Sequence, residues 1–477
     1  MPSKPEATPN AKPQHQSQHP PLPHRPLPHR LGPQPLPLHL GLALATWTNS
    51  ATILPSLMLA WQHLKAQQQP SSDAAKGSVK NPQQAGSATN PPLRLPATLV
   101  QALQKLGPQL DAADPASLAK VLSNEGHHRL DAFVTGALAY RRQPPPRDRS
   151  SRPVLWSSGS TRLLDYRSSS IDAAARNTAP RLLVIPSLIN RYYILDLAPE
   201  TSFLDSLANA GCQPFVIDWG APGEVERGFT LSDYIVGRLQ EAYRALQQQP
   251  GGPIVVVGYC MGGLLALALT QLLLRGPAAA PAGLVLLATP WDFHAEQADQ
   301  GAMIGALGRQ LEPVMTALGE LPVDLLQSFF ALLDPFQVPR KFQSFAQLSN
   351  SQMPDDTAIG RFTLLEDWLN DGVGLAADVA RECLVDWYGT NSTQKGLWRV
   401  GGNIVDPKDI TVPCLALVPN RDRIVPPGSA LALARRLPIH DIEMPLAGHI
   451  GMMAGSKAKS EVWPRIADWV KQHSRSR

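Results

Sequence analysis

Only four cysteines occur in 477 residues, Cys212, Cys260, Cys383 and Cys414, and no two of them form a CxxC pair. Neither a zinc site nor a disulfide framework is expected, and a reducing cytoplasm is the simplest compartment. An excess of one charge is also missing: 43 Lys and Arg against 39 Asp and Glu leave a formal net charge of +4, and the basic residues do not gather into stripes interleaved with aromatics. Nucleic-acid binding is not indicated by such a balance. One uncharged stretch is long enough to consider as a membrane span or export signal, LGLALATWTNSATILPSLMLAW from Leu40 to Trp61. Thr46, Thr48, Asn49, Ser50, Thr52 and Pro55 interrupt it and disfavour both readings. An apolar helix at about 40–66 is expected instead, either lying on a lipid-like surface or packed on the main domain.

What the chain has in excess is proline, 47 residues crowded into the first hundred positions and the connecting stretches. Residues 1 to about 38, ending HPPLPHRPLPHRLGPQPLP, cannot bury enough apolar surface to offset the entropy of ordering and are expected to form a disordered arm. The prolines keep its histidines from converging on one metal ion. A second linker rich in Gln, Ser and Pro completes the first 95 residues. From 96 to 150, apolar residues recur at helical spacing through LVQALQKLGPQL and LAKVLSNEGHHRLDAFVTGALAYRR, which predicts a small helical region. His127 and His128 are neighbours there, and adjacent helical positions diverge, so they do not share a metal.

Residues 151–477 are read as the catalytic domain. Six short apolar runs, RLLVIP, QPFVIDW, PIVVVGYC, GLVLLATP, PCLALVP and HDIEMPL, alternate with helical stretches, the pattern of a doubly wound, mostly parallel α/β sheet. The gap from about 291 to 410 is too long for a single crossover and reads as a helical lid or cap insertion. A hydrophobic content of 43% supports a core of that size.

The segment PIVVVGYCMGGLLALALTQLLL places Gly258, Cys260, Gly262 and Gly263 on the turn between a buried strand and a long apolar helix. That is the nucleophile elbow of the α/β-hydrolase fold with cysteine in place of serine, a strained turn that tolerates only small residues two positions on either side. At a helix start the thiol also meets unpaired N–H groups and the positive end of the helix dipole, which favours its thiolate. The Met261 N–H then supplies half of an oxyanion hole. An inert buried cysteine beside turn glycines is the plain alternative, and the flanking strand, helix and three glycines argue against it.

An elbow needs an acid and then a histidine later in the chain, each after its own strand. Asp422 in NRDRIVPP and His449 in AGHIGMM occur in that order. His449 would take the Cys260 proton, and Asp422 would fix the imidazole tautomer and stabilise its charged form. The second oxyanion donor is expected from PSLINRYYILDL, at Leu188 or Ile189 by position past the strand. Asn190 and Arg191 in that loop either touch substrate or anchor the turn.

GYCMGG, PSLINRYYILDL, FVIDWGAP followed by TLSDYI, LEDWLNDG, NRDRIVPP and AGHIG together resemble the polyhydroxyalkanoate synthases, from about Val154 to Trp469. The core is most similar to the synthases that work with a second subunit, whereas the long N-terminal region is more like that of the single-subunit classes. The resemblance implies Cys260 as the acylated nucleophile, His449 as the base, and Asp422 as the partner that also activates the hydroxyl of the incoming acyl unit. It implies 3-hydroxyacyl-coenzyme A as substrate, no cofactor beyond that coenzyme A thioester, a growing polyester chain and granule surface as partners, a homodimer, and a second synthase subunit. Arg423 departs from the family pattern, which has histidine directly after the aspartate.

Acyl transfer is favoured on physical grounds as well. Passing an acyl group from coenzyme A to cysteine exchanges one thioester for another at little cost, and hydroxyl attack then gives a more stable oxygen ester. Three readings follow: a polyester synthase, a cysteine-nucleophile hydrolase such as a thioesterase or polymer depolymerase, and an inactive granule-associated scaffold. Intact Cys260, Asp422 and His449 argue against the scaffold, and the product, polymer or free acid, separates the other two.

Overall fold

Runs of Val, Ile and Leu become strands here because the sheet they form is covered on both faces. A computed structural model describes residue 30 and residues 32–68, 97–144, 151–168, 173–277, 279–296, 298–353 and 355–474. Its strands are β1 (Val154–Ser158), β2 (Thr161–Asp165), β3 (Arg181–Ile185), β4 (Gln213–Asp218), β5 (Ile254–Tyr259), β6 (Gly283–Leu287), β7 (Glu320–Leu321), β8 (Leu375–Ala376), β9 (Arg399–Val400), β10 (Asn403–Ile404), β11 (Cys414–Leu417) and β12 (His440–Glu443). Eight of them make one sheet in the order β1-β2-β4-β3-β5-β6-β11-β12, while β7 pairs with β8 and β9 with β10. All neighbours from β4 to β12 run parallel, and β1 and β2 add an antiparallel edge. This edge hairpin, VLWSSGSTRLLD, is not among the strands read from the sequence. Its signal was the turn at Gly159, whose φ of 56° suits glycine.

Alternation along each strand divides the core into two layers. Leu183, Ile185, Val256, Leu284 and Leu286 pack on one face of the sheet. Leu182, Val184, Val255, Val257, Val285 and Leu287 pack on the other. The chain runs outward from β3 to β4 and then returns to β5 on the other side of β3. In an open parallel sheet, the crevice beyond the strand ends at such a reversal is where ligands bind. The turn after β5 and the loop after β3 both open there.

Between β6 and β11, residues 298–389 supply helices Ala298–Gln310, Glu312–Leu318, Val323–Leu333, Gln337–Ser349, Asp356–Asn370 and Ala377–Arg381, the last continuing as a π-helix, Glu382–Gly389. Upstream of the sheet lie α1 (Leu36–Ala43), α2 (Leu54–Gln68), α3 (Ala97–Ala112) and α4 (Pro115–Arg141). Asp114 caps α4, its Oδ2 accepting the Ser117 N–H at 2.9 Å with Pro115 at the first turn. Gly136 lets α4 press against the Gln337–Ser349 helix: a Cβ there would lie 1.9 Å from the Phe342 carbonyl oxygen. Phe133, Tyr140, Phe342 and Phe345 fill that seam. The N-terminal helices are thereby fastened to the insertion.

Two expectations for the N-terminal region need correction. The disordered arm was drawn to about residue 38, yet α1 begins at Leu36 and Arg30 is buried, paired with Asp367. Composition averages over a window and misses a single guanidinium that finds a buried carboxylate far along the chain. Residues 1–29, with their histidines, and the linker at 69–96 lie outside the described residues. The apolar helix at about 40–66 is two helices, α1 and α2, separated by a π-turn at Leu44–Thr48 and a 3-10 turn at Ser50–Ile53. Polar residues at 46–52 divert the backbone there, with Thr48 and Asn49 bonding carbonyls four residues back. Ala43, Trp47, Leu54 and Trp61 face inward, whereas Leu44, Ile53 and Leu59 are exposed. Among the described residues no helix is long and apolar enough to cross a membrane.

Candidate active site

At the end of β5 the backbone turns sharply: Cys260 has φ 57° and ψ −127° and stands immediately before the Met261–Arg275 helix. A non-glycine residue held at positive φ is strained and persists only when its surroundings fix it. Here the Cys260 N–H donates to the Leu287 carbonyl at 2.8 Å, and its own carbonyl accepts the Gly263 N–H at 2.9 Å. The glycines allow the close approach. A Cβ on Gly262 would fall 2.1 Å from the Ile185 carbonyl oxygen, and one on Gly263 would fall 1.8 Å from Thr289 Oγ1. Met261, the first residue of the helix, is buried at this turn, and its N–H belongs to the unpaired first turn.

Asp422 lies in the loop after β11 and His449 in the loop after β12, and both are buried. His449 donates from Nδ1 to Asp422 Oδ2 at 2.7 Å. The other carboxylate oxygen accepts the N–H groups of Ile424 and Val425, each at 2.9 Å. Asp422 therefore has its acceptors filled and its orientation set, which leaves Nε2 of the imidazole free to serve as base. Burial alone would lower the His449 imidazolium. The negative charge of the neighbouring Cys260 sulfur and the hydrogen bond with Asp422 outweigh burial and raise it to about 10. The imidazole thus stands between the Asp422 carboxylate and the Cys260 sulfur, placed to take a proton from that sulfur or return one. The three sequence-predicted residues thus meet at the crevice between β3 and β5.

The family model described as Poly-beta-hydroxybutyrate polymerase (PhaC) N-terminus matches residues 153–207, and that of the Alpha/beta hydrolase family matches residues 190–462, more than half of the chain. The poly(3-hydroxyalkanoate) polymerase subunit PhaC of Synechocystis sp. is 30% identical over 299 residues, 61% of this chain and 77% of that one. The chain belongs to the PhaC polymerase family. PhaC subunits of Haloferax mediterranei and Allochromatium vinosum are 28% and 29% identical over 333 and 316 residues, covering 67% and 65% of this chain. The aligned part spans 64% of the Haloferax subunit, less than two thirds, and 86% of the Allochromatium one.

In this PhaC-family chain the loop after β3 carries Leu188 and Ile189, the two residues expected to offer the second oxyanion donor. The Ile189 N–H donates to Ser187 Oγ at 3.2 Å, and Leu188 is buried. Arg191 anchors rather than reaches out: its guanidinium lies 3.5 Å from Asp371 and its carbonyl accepts Trp368 Nε1–H at 2.8 Å. Asn190 forms a β-bridge with Gly372. Arg423 is largely exposed and lies 3.5 Å from Asp334 of the insertion. The other three cysteines are buried, and burial pushes their thiols up, Cys212 to about 11, Cys414 to about 12 and Cys383 well above its ordinary value.

Tyr259 was not picked out from the sequence. Its ring stacks on His449, with centroids 5.3 Å apart at 29°, and its hydroxyl donates to the His449 carbonyl at 3.2 Å. It holds the imidazole against the elbow. Adjacency to the nucleophile was the available signal, but a tyrosine ending a buried strand is read first as core. Tyr388 on the π-helix also approaches Cys260, its phenol pushed up by burial and by the sulfurs of Cys260 and Cys383.

Proposed function

We propose that this chain polymerises 3-hydroxyacyl-coenzyme A into polyester, carrying the acyl group as a thioester on Cys260. The observation that carries the reading is a cysteine at a strained elbow, φ 57°, meeting a buried His449–Asp422 pair in a chain of the PhaC family. The Cys260 thiolate attacks the thioester carbonyl, and the oxyanion is held by the Met261 N–H and by an N–H from the Leu188–Ile189 loop. Coenzyme A leaves as its thiol, taking the proton that His449 holds. His449, neutral again, removes the proton from the hydroxyl of a second acyl unit as that oxygen attacks the Cys260 thioester. The oxygen ester forms and Cys260 leaves as thiolate, restoring the ion pair with one added unit. Asp422 keeps Nδ1 protonated throughout, so that Nε2 handles both transfers.

The stability of the oxygen ester over the thioester drives growth, which cysteine serves better than serine. No resident cofactor enters these steps. Attachment to the polymer granule, a homodimer and a second synthase subunit extend the same reading, the last supported by the word subunit in the relatives' names. The test is the purified chain given 3-hydroxybutyryl-coenzyme A, with thiol release and polymer both followed. Thiol release with chain growth supports the synthase. Thiol release with free 3-hydroxybutyrate assigns a hydrolase, and neither product assigns a scaffold.

A further inference from the structure

A buried polar knot ties the N-terminal segment to the insertion. Arg30 donates from Nε and Nη2 to the two oxygens of Asp367, each at 2.7 Å, and from Nη1 to the carbonyls of Gln143, at 2.7 Å, and Pro144. Tyr140 donates its hydroxyl to Asp367 Oδ1 at 2.7 Å, and the Gln34 N–H donates to Asn370 Oδ1 at 2.9 Å. Arg30, Asp367 and Tyr140 are all buried. A bidentate guanidinium–carboxylate pair fixes both distance and plane, so the knot is stiff.

The far side of the same short stretch grips the loop after β3. Trp368, next to Asp367, donates to the Arg191 carbonyl at 2.8 Å. Asp371 accepts the Tyr193 hydroxyl at 2.8 Å and lies 3.5 Å from the Arg191 guanidinium. Gly372 then bridges to Asn190. Residues 367–372 are thus held on one side by Arg30 and on the other hold 190–193, directly after Leu188 and Ile189. The elbow half of the oxyanion site needs no such help, since the Met261 N–H is fixed by its helix.

We propose that Arg30 is a positioning residue for acyl transfer: through Asp367 and the 367–372 stretch it holds the loop after β3 in place beside the elbow, where an N–H of that loop completes the oxyanion site. The role rests on the acyl-transfer reading, but the mechanical link does not. Without the guanidinium, Asp367 is a buried carboxylate lacking its partner, the end of the Asp356–Asn370 helix shifts, and the grip on Arg191 loosens. An oxyanion donor acts on the transition state more than on substrate binding, so kcat falls while KM is retained.

The test uses the full chain with Arg30→Ala and the milder Arg30→Lys, which keeps the charge but not the bidentate fork. Backbone hydrogen exchange at 187–193 is followed by mass spectrometry, together with kcat and KM for thiol release from 3-hydroxybutyryl-coenzyme A. Expected for Arg30→Ala are faster exchange at 187–193, a kcat loss of about tenfold or more with KM little changed, and recovery of both on adding ethylguanidinium but not ethylammonium. Arg30→Lys gives a smaller change in the same direction and is read alone if the alanine variant does not fold. Exchange at 187–193 equal to wild type in the folded variant overturns the proposal. So does a kcat loss that ethylguanidinium leaves unrestored. If the wild-type chain releases no thiol, the acyl-transfer reading fails and the positioning role with it, while exchange at 187–193 still reads the link on its own.

Discussion

Replacing Asp422 by asparagine removes one charge and forces a choice between two sets of hydrogen bonds. In one amide orientation the asparagine oxygen keeps the Ile424 and Val425 N–H groups, now held by Asp422 Oδ1 at 2.9 Å, and its NH2 faces His449 Nδ1. Nδ1 must then accept, which puts the imidazole proton on Nε2, the nitrogen that should act as base. In the other orientation two backbone N–H groups meet an NH2, at about 1–3 kcal/mol each. The first is favoured. Burial then dominates the imidazolium, which loses an acceptor worth about 1.5–3 kcal/mol for a charged donor. Acylation should slow by about 10- to 100-fold, because a thiol ionises in part near neutral pH and the Nε2–H of His449 can still protonate the departing coenzyme A. Elongation should slow by about 10³- to 10⁴-fold, because an alcohol does not ionise and the base is in the wrong tautomer. The acyl-enzyme therefore accumulates. Rapid-quench mass spectrometry of Asp422→Asn with 3-hydroxybutyryl-coenzyme A should show Cys260 acylated before polymer appears, whereas His449→Gln should fail to acylate on the wild-type timescale. No accumulation in Asp422→Asn, together with normal acylation in His449→Gln, would reverse the assigned roles.

Cys260→Ala should abolish turnover, and iodoacetamide should label Cys260 before Cys212, Cys383 or Cys414, whose thiols burial pushes up; first labelling of any of these in folded protein refutes the assignment. Deleting residues 1–29 should leave the thermal midpoint nearly unchanged, while deleting 1–38 removes Arg30 and should cost about 3–5 kcal/mol by stranding the buried Asp367; calorimetry of the two truncations checks the contrast, and equal midpoints would show that the Arg30 pair contributes nothing. Glu382 is pushed up to about 7, chiefly by burial and further by Asp386, Asp378 and Asp233, against the Leu231 N–H that lowers it. The folded chain then holds a proton that the unfolded chain releases near 4.5, so stability is lost as pH rises from there through about 7. Glu382→Gln should raise the thermal midpoint above that window and matter little below it; a variant that melts lower than wild type at high pH would show that the carboxylate is favourably held.

The elbow was legible in the sequence because its requirements are local. A strand, a strained residue and a helix follow one another in PIVVVGYCMGG, and Gly262 and Gly263 must be small wherever the rest of the chain goes. Asp422 and His449 were legible through their order after two later strands, since a parallel sheet brings successive strand ends to one edge. The β1–β2 hairpin escaped notice because its strands, VLWSS and TRLLD, lack the continuous apolar run of the parallel strands, and β1 is a partly exposed edge. What no local pattern could supply was the pairing of Arg30 with Asp367, 337 residues apart, in a segment whose composition argued for disorder. Ordering that segment depends on one buried carboxylate presented by a distant helix, with Tyr140 and the Gln143 carbonyl completing the cage. The same holds for Tyr259 over His449 and for Trp368 on the loop after β3. Backbone strain and strand order are properties of short stretches and their succession, whereas a buried ion pair or a stacked ring exists only once the layers have closed around it.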